Sequence, residues 1–399
     1  MNNNEAILAT LHNVRPIEGA DKIVLADVCL DEVPITQVVV GSETVGGQVV
    51  IYFDSNMCLS DTVIKDYPSL ATYLAKGNRV RCVKLRGVIS NGLCVPIDHF
   101  LKYADKNIPA SFTKLGSTEI CYKYVPEVKQ HITGSKEHKV KKQVPDTFHF
   151  HIDTAQLMRN IHAINPTDVI SISRKVHGTS AIFSYLSVKR SLTFIEKCAR
   201  LLGAQIADKE YAYVPASRSV VKNTENKDDL WVKVGTDNFV GKLHKGETIY
   251  YEIVGYKPGT SSFIQKNYDY GCKVGQCAIA VYRITYTNED GDVFEYGWKA
   301  MQERCEEIGV PTVQEYFYGR AMDFCPMQDD WNIAFAKKIK DTWLERDCPD
   351  NLCKKMPDEG VVIRIESKDI RVFKYKSESF ILGESIAKDK GEVDTEEEA

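Results

Sequence analysis

No stretch of this chain approaches the roughly 20 consecutive apolar residues that span a bilayer, so a helical membrane anchor is not expected. The first residues, MNNNEAILATL, lack the basic-then-apolar profile of a secretory leader. The 12 cysteines of the 399 residues form no short, regular framework. They read as reduced thiols, and an intracellular setting, cytoplasmic or nuclear, is expected. An excess of positive charge is also missing. The formal net charge of −4 excludes a global basic coat for nucleic acid while leaving room for a local basic groove. What is present is ordinary for a globular protein: 43% apolar and 27% charged residues, in a chain long enough for two or three domains.

The stretch SISRKVHGTSAI, residues 171–182, organises the rest. Apolar alternation before Lys175 predicts a strand, His177-Gly178-Thr179 predicts a turn, and Ala181-Ile182-Phe183 resumes a strand. A lysine at a strand end is commonly a solvated charge. It becomes a nucleophile for phosphorus or carbonyl centres only where burial or a neighbouring cation favours the free amine. Two later stretches favour that second role. Asp358-Glu359-Gly360 puts a carboxylate before a glycine and an apolar strand, and Phe373-Lys374-Tyr375-Lys376 puts two lysines on one strand face. An amine, a metal-holding acid and paired cations suit nucleotide transfer through a lysine adduct.

Residues 5–110 read as all-β, with short runs at 6–11, 22–28, 36–40, 48–53 and 80–85 and a brief helix near 67–75, the pattern of an OB-type barrel. Lys84, Arg86 and Lys102 are candidates there for an RNA backbone, or else a solvated face. Residues 118–152 read as a polar connector whose Lys136, Lys139, Lys141 and Lys142 form a basic cluster. His149 and His151, two apart on an expected strand, are taken as structural. A short helix is expected over 153–161, capped by Asp153 or Thr154. Residues 192–204 fit a helix or a hairpin. Arg218 offers a bidentate fork for phosphate. Glu252 sits in the aromatic strand TIYYEIVGY, where a carboxylate needs a partner or a metal. Residues 264–271 are a polar-aromatic loop without an assigned role. Helices are expected over 299–308 and 331–346, with Trp331, Phe335 and Trp343 in the core. Cys272/Cys277 and Cys348/Cys353 have loose zinc half-site spacing. The acidic end, 389–399, is expected to be disordered.

KVHG resembles motif I, lysine-any-aspartate-glycine, of the covalent nucleotidyltransferases, the superfamily of DNA ligases, RNA ligases and mRNA capping enzymes. EGVVIR resembles motif IV and FKYK motif V; RPIEGADKI, VVIYFDSNMCLSD and RVRCVKLRGVISNGL resemble the N-terminal domain of the Deinococcus/Naegleria-type ATP-dependent RNA ligases. The resemblance implies an α+β chain. An OB-type domain over 1–117 and the connector precede a nucleotidyltransferase domain of antiparallel sheets and flanking helices over 153–388. It implies Lys175 as the carrier of AMP, Lys374 and Lys376 on its phosphate, and Glu252 and Glu359 holding Mg²⁺ or Mn²⁺. Gly178 belongs to the nucleotide-binding turn, Arg218 resembles the basic residue of motif Ia, and Tyr282 resembles the adenine-stacking aromatic of motif IIIa. His177 departs from the motif I aspartate, which leaves its role open. ATP and RNA ends are the implied substrates, the chain a monomer, and no zinc site is implied. A DNA ligase, a capping enzyme and an RNA-binding protein without catalysis are the competing readings; sealing assays on DNA and RNA nicks, labelled GTP against ATP, and a mass shift of one AMP separate them.

Overall fold

A computed structural model describes residues 4–104, 107–125, 145, 147–151 and 154–392. The basic cluster at Lys136, Lys139, Lys141 and Lys142 and the cap at Asp153 lie outside the described residues. The chain is a mixed α+β protein built mainly on antiparallel sheets.

The N-terminal sheet runs Val33–Gly41, Ile23–Leu30, Ala6–Pro16, Gln48–Phe53, Leu93–Pro96, with Ser111–Phe112 joining Ala6–Pro16. Both faces are covered, and the period-2 alternation of a strand shows how. Ile7, Ala9 and Leu11 enter one apolar cluster with Val50 and Tyr52, while Ala6 enters another with Ile51 and Phe53. The expected helix near 67–75 is a 3-10 segment, Pro68–Tyr73, because Pro68 starts a new turn after the α-helix Asp61–Asp66 has ended.

Two five-stranded sheets follow. The first runs Ala155–Gln156, Arg371–Lys376, Gly360–Ile365, Val169–Lys175, Glu315–Arg320. The second runs Lys209–Ser217, Thr179–Lys189, Glu247–Gly255, Cys277–Thr287, Val293–Glu295. The helix Trp331–Trp343 closes the first sheet: Trp331 and Phe335 are buried in its core with Ile172, Val361, Ile363 and Phe373, and Trp343 packs on them. The helices Leu230–Phe239 and Trp298–Ile308 cover the second. Only three residues, 176–178, separate a central strand of one sheet from a strand of the other.

Several expectations are corrected. Residues 153–161 do not form one helix: Ala155–Gln156 adds a parallel strand to Arg371–Lys376, and a 3-10 turn, Met158–Ala163, follows. The sheet edge offers backbone partners that a helix there would forgo, including Leu157 N–H to the Lys374 carbonyl at 2.9 Å. His149 and His151 are not on a strand. Of the two alternatives for residues 192–204 the helix is the one formed, Phe194–Leu201, capped reciprocally by Thr193 and Glu196. A helix, Glu378–Asp389, runs one residue into the stretch expected to be disordered.

Phe335 has no exposed surface, so Phe335→Ala removes contacts throughout the first core. A loss of about 3–5 kcal/mol is expected, read as a lower urea midpoint with an unchanged slope.

Candidate active site

The first sheet places the three candidate strands side by side. Lys175 pairs with Gly360, and Gly360 pairs with Lys376, so the two lysines flank one glycine. Gly360 has φ 142°, and a Cβ there would lie 2.1 Å from the Tyr375 carbonyl. The strands close up because that position carries no side chain. One row further along, Ser173, Val362 and Lys374 align in the same way.

Glu359, which precedes the glycine, is only 3% exposed at its side chain, and its Oε1 takes Lys175 Nζ at 2.9 Å and Lys376 Nζ at 3.0 Å. Lys376 also reaches both oxygens of Glu384, at 3.0 and 3.1 Å. The result is an alternating chain of charges, Lys175, Glu359, Lys376, Glu384. Burial alone would push the Glu359 carboxyl up, yet Lys175 and Lys376, with His177 adding to them, hold it well below the usual carboxylate range. Burial likewise works against charge on Lys376, and Glu384 and Glu359 outweigh it and push that ammonium up. Glu384 is pulled down, its burial overcome chiefly by Lys376.

The second sheet supplies the opposite wall. Ser180 pairs with Glu252, which puts the Glu252 carboxylate under the turn, where Oε1 accepts from Gly178 N–H at 3.1 Å. A Cβ on Gly178 would sit 2.3 Å from the Ile253 carbonyl, so this turn too needs a glycine for close approach. Between the two sheets lies a cavity of about 280 Å³, lined by Lys175, Arg218, Glu252, Tyr282 and Lys374 together with His151, Ser180, Arg283 and Arg364. Its size is at the small end of ligand pockets, which run from roughly 300 Å³ upward. Arg218 arrives there because the Ser217 hydroxyl and the Val220 backbone close a bend behind it, with Val220 N–H on Ser217 Oγ at 3.2 Å. Tyr282 shares a hydrogen bond with Ser180 Oγ at 2.9 Å, and the His151 ring meets it edge-on at 5.7 Å. His151 therefore belongs to the cavity wall.

His177, Gly178, Glu359 and Lys376 stand behind this wall. The His177 ring packs edge-on against Tyr268 at 5.0 Å and Phe380 at 4.9 Å. Its backbone N–H donates to Tyr270 Oη at 2.8 Å, and Gln265 Nε2 donates to the Gly178 carbonyl at 2.6 Å. The unassigned loop 264–271 thus holds the turn after Lys175 from both sides. Asp269 ties that loop to the next, accepting from Leu352 N–H at 2.8 Å and Cys353 N–H at 2.6 Å. Sequence periodicity does not reveal this role because the loop has none; Tyr268 and Tyr270 in a polar stretch are the available signal. Arg174, beside Lys175, is buried on Asp358 at 3.0 Å and on Asp350, and Cys348 Sγ lies 3.1 Å from it. In the N-terminal part Lys102 is paired with Asp66 at 2.8 Å, while Lys84 and Arg86 are exposed on the hairpin Cys82–Leu85 and Val88–Asn91.

Among the described residues no three His, Cys, Asp or Glu side chains group closely enough to ligate a metal ion. Glu359 Oε2, however, is buried with no hydrogen-bond partner, and Glu252 faces the cavity. Of the two acids, Glu252 on the cavity fits a largely hydrated divalent ion held through its waters, while the unpartnered Glu359 oxygen is buried behind the wall.

This arrangement of two sheets hinged on a lysine turn is the fold of an RNA ligase. The chain matches solved structures of Naegleria gruberi RNA ligase: a variant with AMP and Mn at TM-score 0.62 and 17% identity, covering 94% of this chain and 97% of that one. A variant with ATP and Mn matches at TM-score 0.62 and 16% identity, covering 98% and 99%, and the ligase with pyrophosphate matches at 0.60 and 16%, covering 94% and 97%. No protein-family model and no curated protein sequence matches the chain. Among the described residues no helix is long and apolar enough to cross a membrane.

Two outcomes follow from this geometry. Tyr270→Phe strands the His177 N–H without its acceptor and is expected to cost about 1–3 kcal/mol in urea unfolding. A depressed carboxyl contributes stability above its unfolded pKa, about 4.3 for glutamate, and loses it as pH falls toward the folded value. The stability gap between wild type and Glu359→Gln is therefore expected to be constant near neutrality and to close below about pH 4, as read from urea midpoints across pH.

Proposed function

We propose that this chain is an ATP-dependent RNA ligase of the covalent nucleotidyltransferase superfamily, working through a lysyl-AMP intermediate. The observation that carries the reading is Lys175 on a cavity shared with Glu252, Arg218, Tyr282 and Lys374, with Glu359 and Lys376 immediately behind it. The RNA ligase fold over nearly the whole chain supports it, as does the presence of ATP, AMP, Mn and pyrophosphate in structures of the Naegleria enzyme.

In this reading Lys175 Nζ attacks the α-phosphorus of ATP. The ammonium first gives one proton to water and attacks as the free amine; a P–N bond forms, the P–O bond to pyrophosphate breaks, and a second proton passes from the nitrogen to water. Lys376 bonds the same oxygen of Glu359 as Lys175 does, so it draws negative charge from that carboxylate and loosens its hold on the Lys175 proton. Lys374 and Arg218 neutralise phosphate charge, and Tyr282 offers a ring face to the base. The AMP then passes to an RNA 5′-phosphate, breaking the P–N bond and forming a P–O bond. Attack by a 3′-hydroxyl on the 5′-phosphorus releases AMP and seals the ends, the chemistry of RNA repair. A divalent ion, Mg²⁺ or Mn²⁺, near Glu252 and Glu359 would supply further neutralisation of the triphosphate. The doubly covered N-terminal sheet is read as an OB-type domain for RNA over 1–117, ahead of a nucleotidyltransferase domain over 153–388, in an intracellular monomer.

Lys175→Ala is expected to abolish transfer of label from α-labelled ATP to the protein, while labelled GTP leaves the wild type unmodified. Label on the variant at the wild-type level would refute Lys175 as the carrier.

A further inference from the structure

The helix Glu378–Asp389 has two working faces, and neither is apparent in the sequence. Successive helical residues are turned by roughly 100°, so neighbours look in different directions while residues one turn apart share a face. Phe380 and Glu384 share the face toward the nucleophile's turn: Phe380 meets the His177 ring at 4.9 Å, and Glu384 brackets Lys376 Nζ with both oxygens at 3.0 and 3.1 Å. Glu378, Ser385 and Asp389 look toward the N-terminal sheets. Ser385, next to Glu384, accepts from Cys82 N–H at 3.0 Å through its hydroxyl and from Arg79 Nη2 at 3.3 Å through its carbonyl. Arg79 is 2% exposed and also pairs with the Asp389 carboxylate. Gln37 Nε2 donates to Glu378 at 3.4 Å, and Lys388 Nζ to Asn56 at 3.1 Å.

We propose that Glu384 is a positioning residue that fixes Lys376 for the phosphate-transfer step, and that its helix ties this position to the N-terminal sheets. The proposal rests on the ligase reading. Without the Glu384 carboxylate, Lys376 keeps one of its three carboxylate contacts and is held less firmly on the Glu359 oxygen it shares with Lys175. It no longer draws charge from that oxygen as steadily, so Glu359 holds the Lys175 proton more tightly. Lys374 and Arg218 line the cavity independently of the helix, so nucleotide binding is kept while the transfer rate falls.

The test is single-turnover labelling of the full chain from α-labelled ATP with Mn²⁺, across a range of ATP concentrations. Three variants are compared with the wild type, each under conditions where its urea unfolding curve shows it fully folded. Glu384→Gln keeps the shape and removes the charge; Glu384→Asp keeps the charge and shortens the reach; Arg79→Ala loosens the helix from its other face. Glu384→Gln is expected to lower the limiting rate about tenfold or more while half-saturating ATP moves less than about threefold. Glu384→Asp keeps more of the rate than Glu384→Gln, and Arg79→Ala lowers it in the same direction. A Glu384→Gln rate within about twofold of wild type, or one above that of Glu384→Asp, overturns the positioning role. An Arg79→Ala chain at the wild-type rate overturns the link to the N-terminal sheets. A wild type that takes no label overturns the ligase reading and the proposal with it.

Discussion

Charge alternation beneath the cavity is the constraint from which the site takes its form. Burying an ammonium or a carboxylate alone costs far more than a folded chain can tolerate, so such groups come paired or not at all. Here Glu359 lies between Lys175 and Lys376, and Lys376 between Glu359 and Glu384. Two positive and two negative groups hold each other, and none can be removed without leaving a neighbour short of a partner. The four come from three strands or strand ends and one helix, which therefore must dock together for all of them to be satisfied. Gly360 permits this by letting the Lys175 and Lys376 strands lie on either side of it without a side chain between.

The need to satisfy polar groups also explains the turn at 176–178. It is the short link between the two sheets, and side chains from elsewhere take up its backbone groups: Tyr270 on His177 N–H, Glu252 on Gly178 N–H, Gln265 on the Gly178 carbonyl. The second sheet thus contributes to the site first by holding a turn and only then by lining a cavity. His177 lies in this packing, its ring between Tyr268 and Phe380. A histidine fits that role where a carboxylate, set among aromatic rings, would not. The arrangement gives the departure from a motif I aspartate a physical context in the chain's own packing.

Much of this is legible in the amino-acid sequence. Apolar spacing beside glycine points to strands before Lys175, at 181–183 and after Gly360, and the structure has Val169–Lys175, Thr179–Lys189 and Gly360–Ile365 there, the second much longer than the stretch read. Lys175, Glu252 and Lys374 line one cavity with Glu359 and Lys376 behind Lys175, and each stands on or beside a strand whose register fixes its neighbours. What is not legible comes from elements without a period. The loop 264–271 acts through single side chains, and the strand Ala155–Gln156 forms only because an edge of the first sheet is open to it. The helix Glu378–Asp389 is hidden because its polar residues, among them Glu384, Ser385 and Asp389, face partners 8 to more than 300 residues away in sequence. A polar face read locally looks like a solvated one.

The most direct test of the account is to incubate the full-length chain with ATP and Mn²⁺ or Mg²⁺, measure its intact mass, and map any adduct by peptide sequencing. The account predicts a gain of one AMP, located on Lys175. An unmodified chain, or an AMP carried by any other residue, contradicts it.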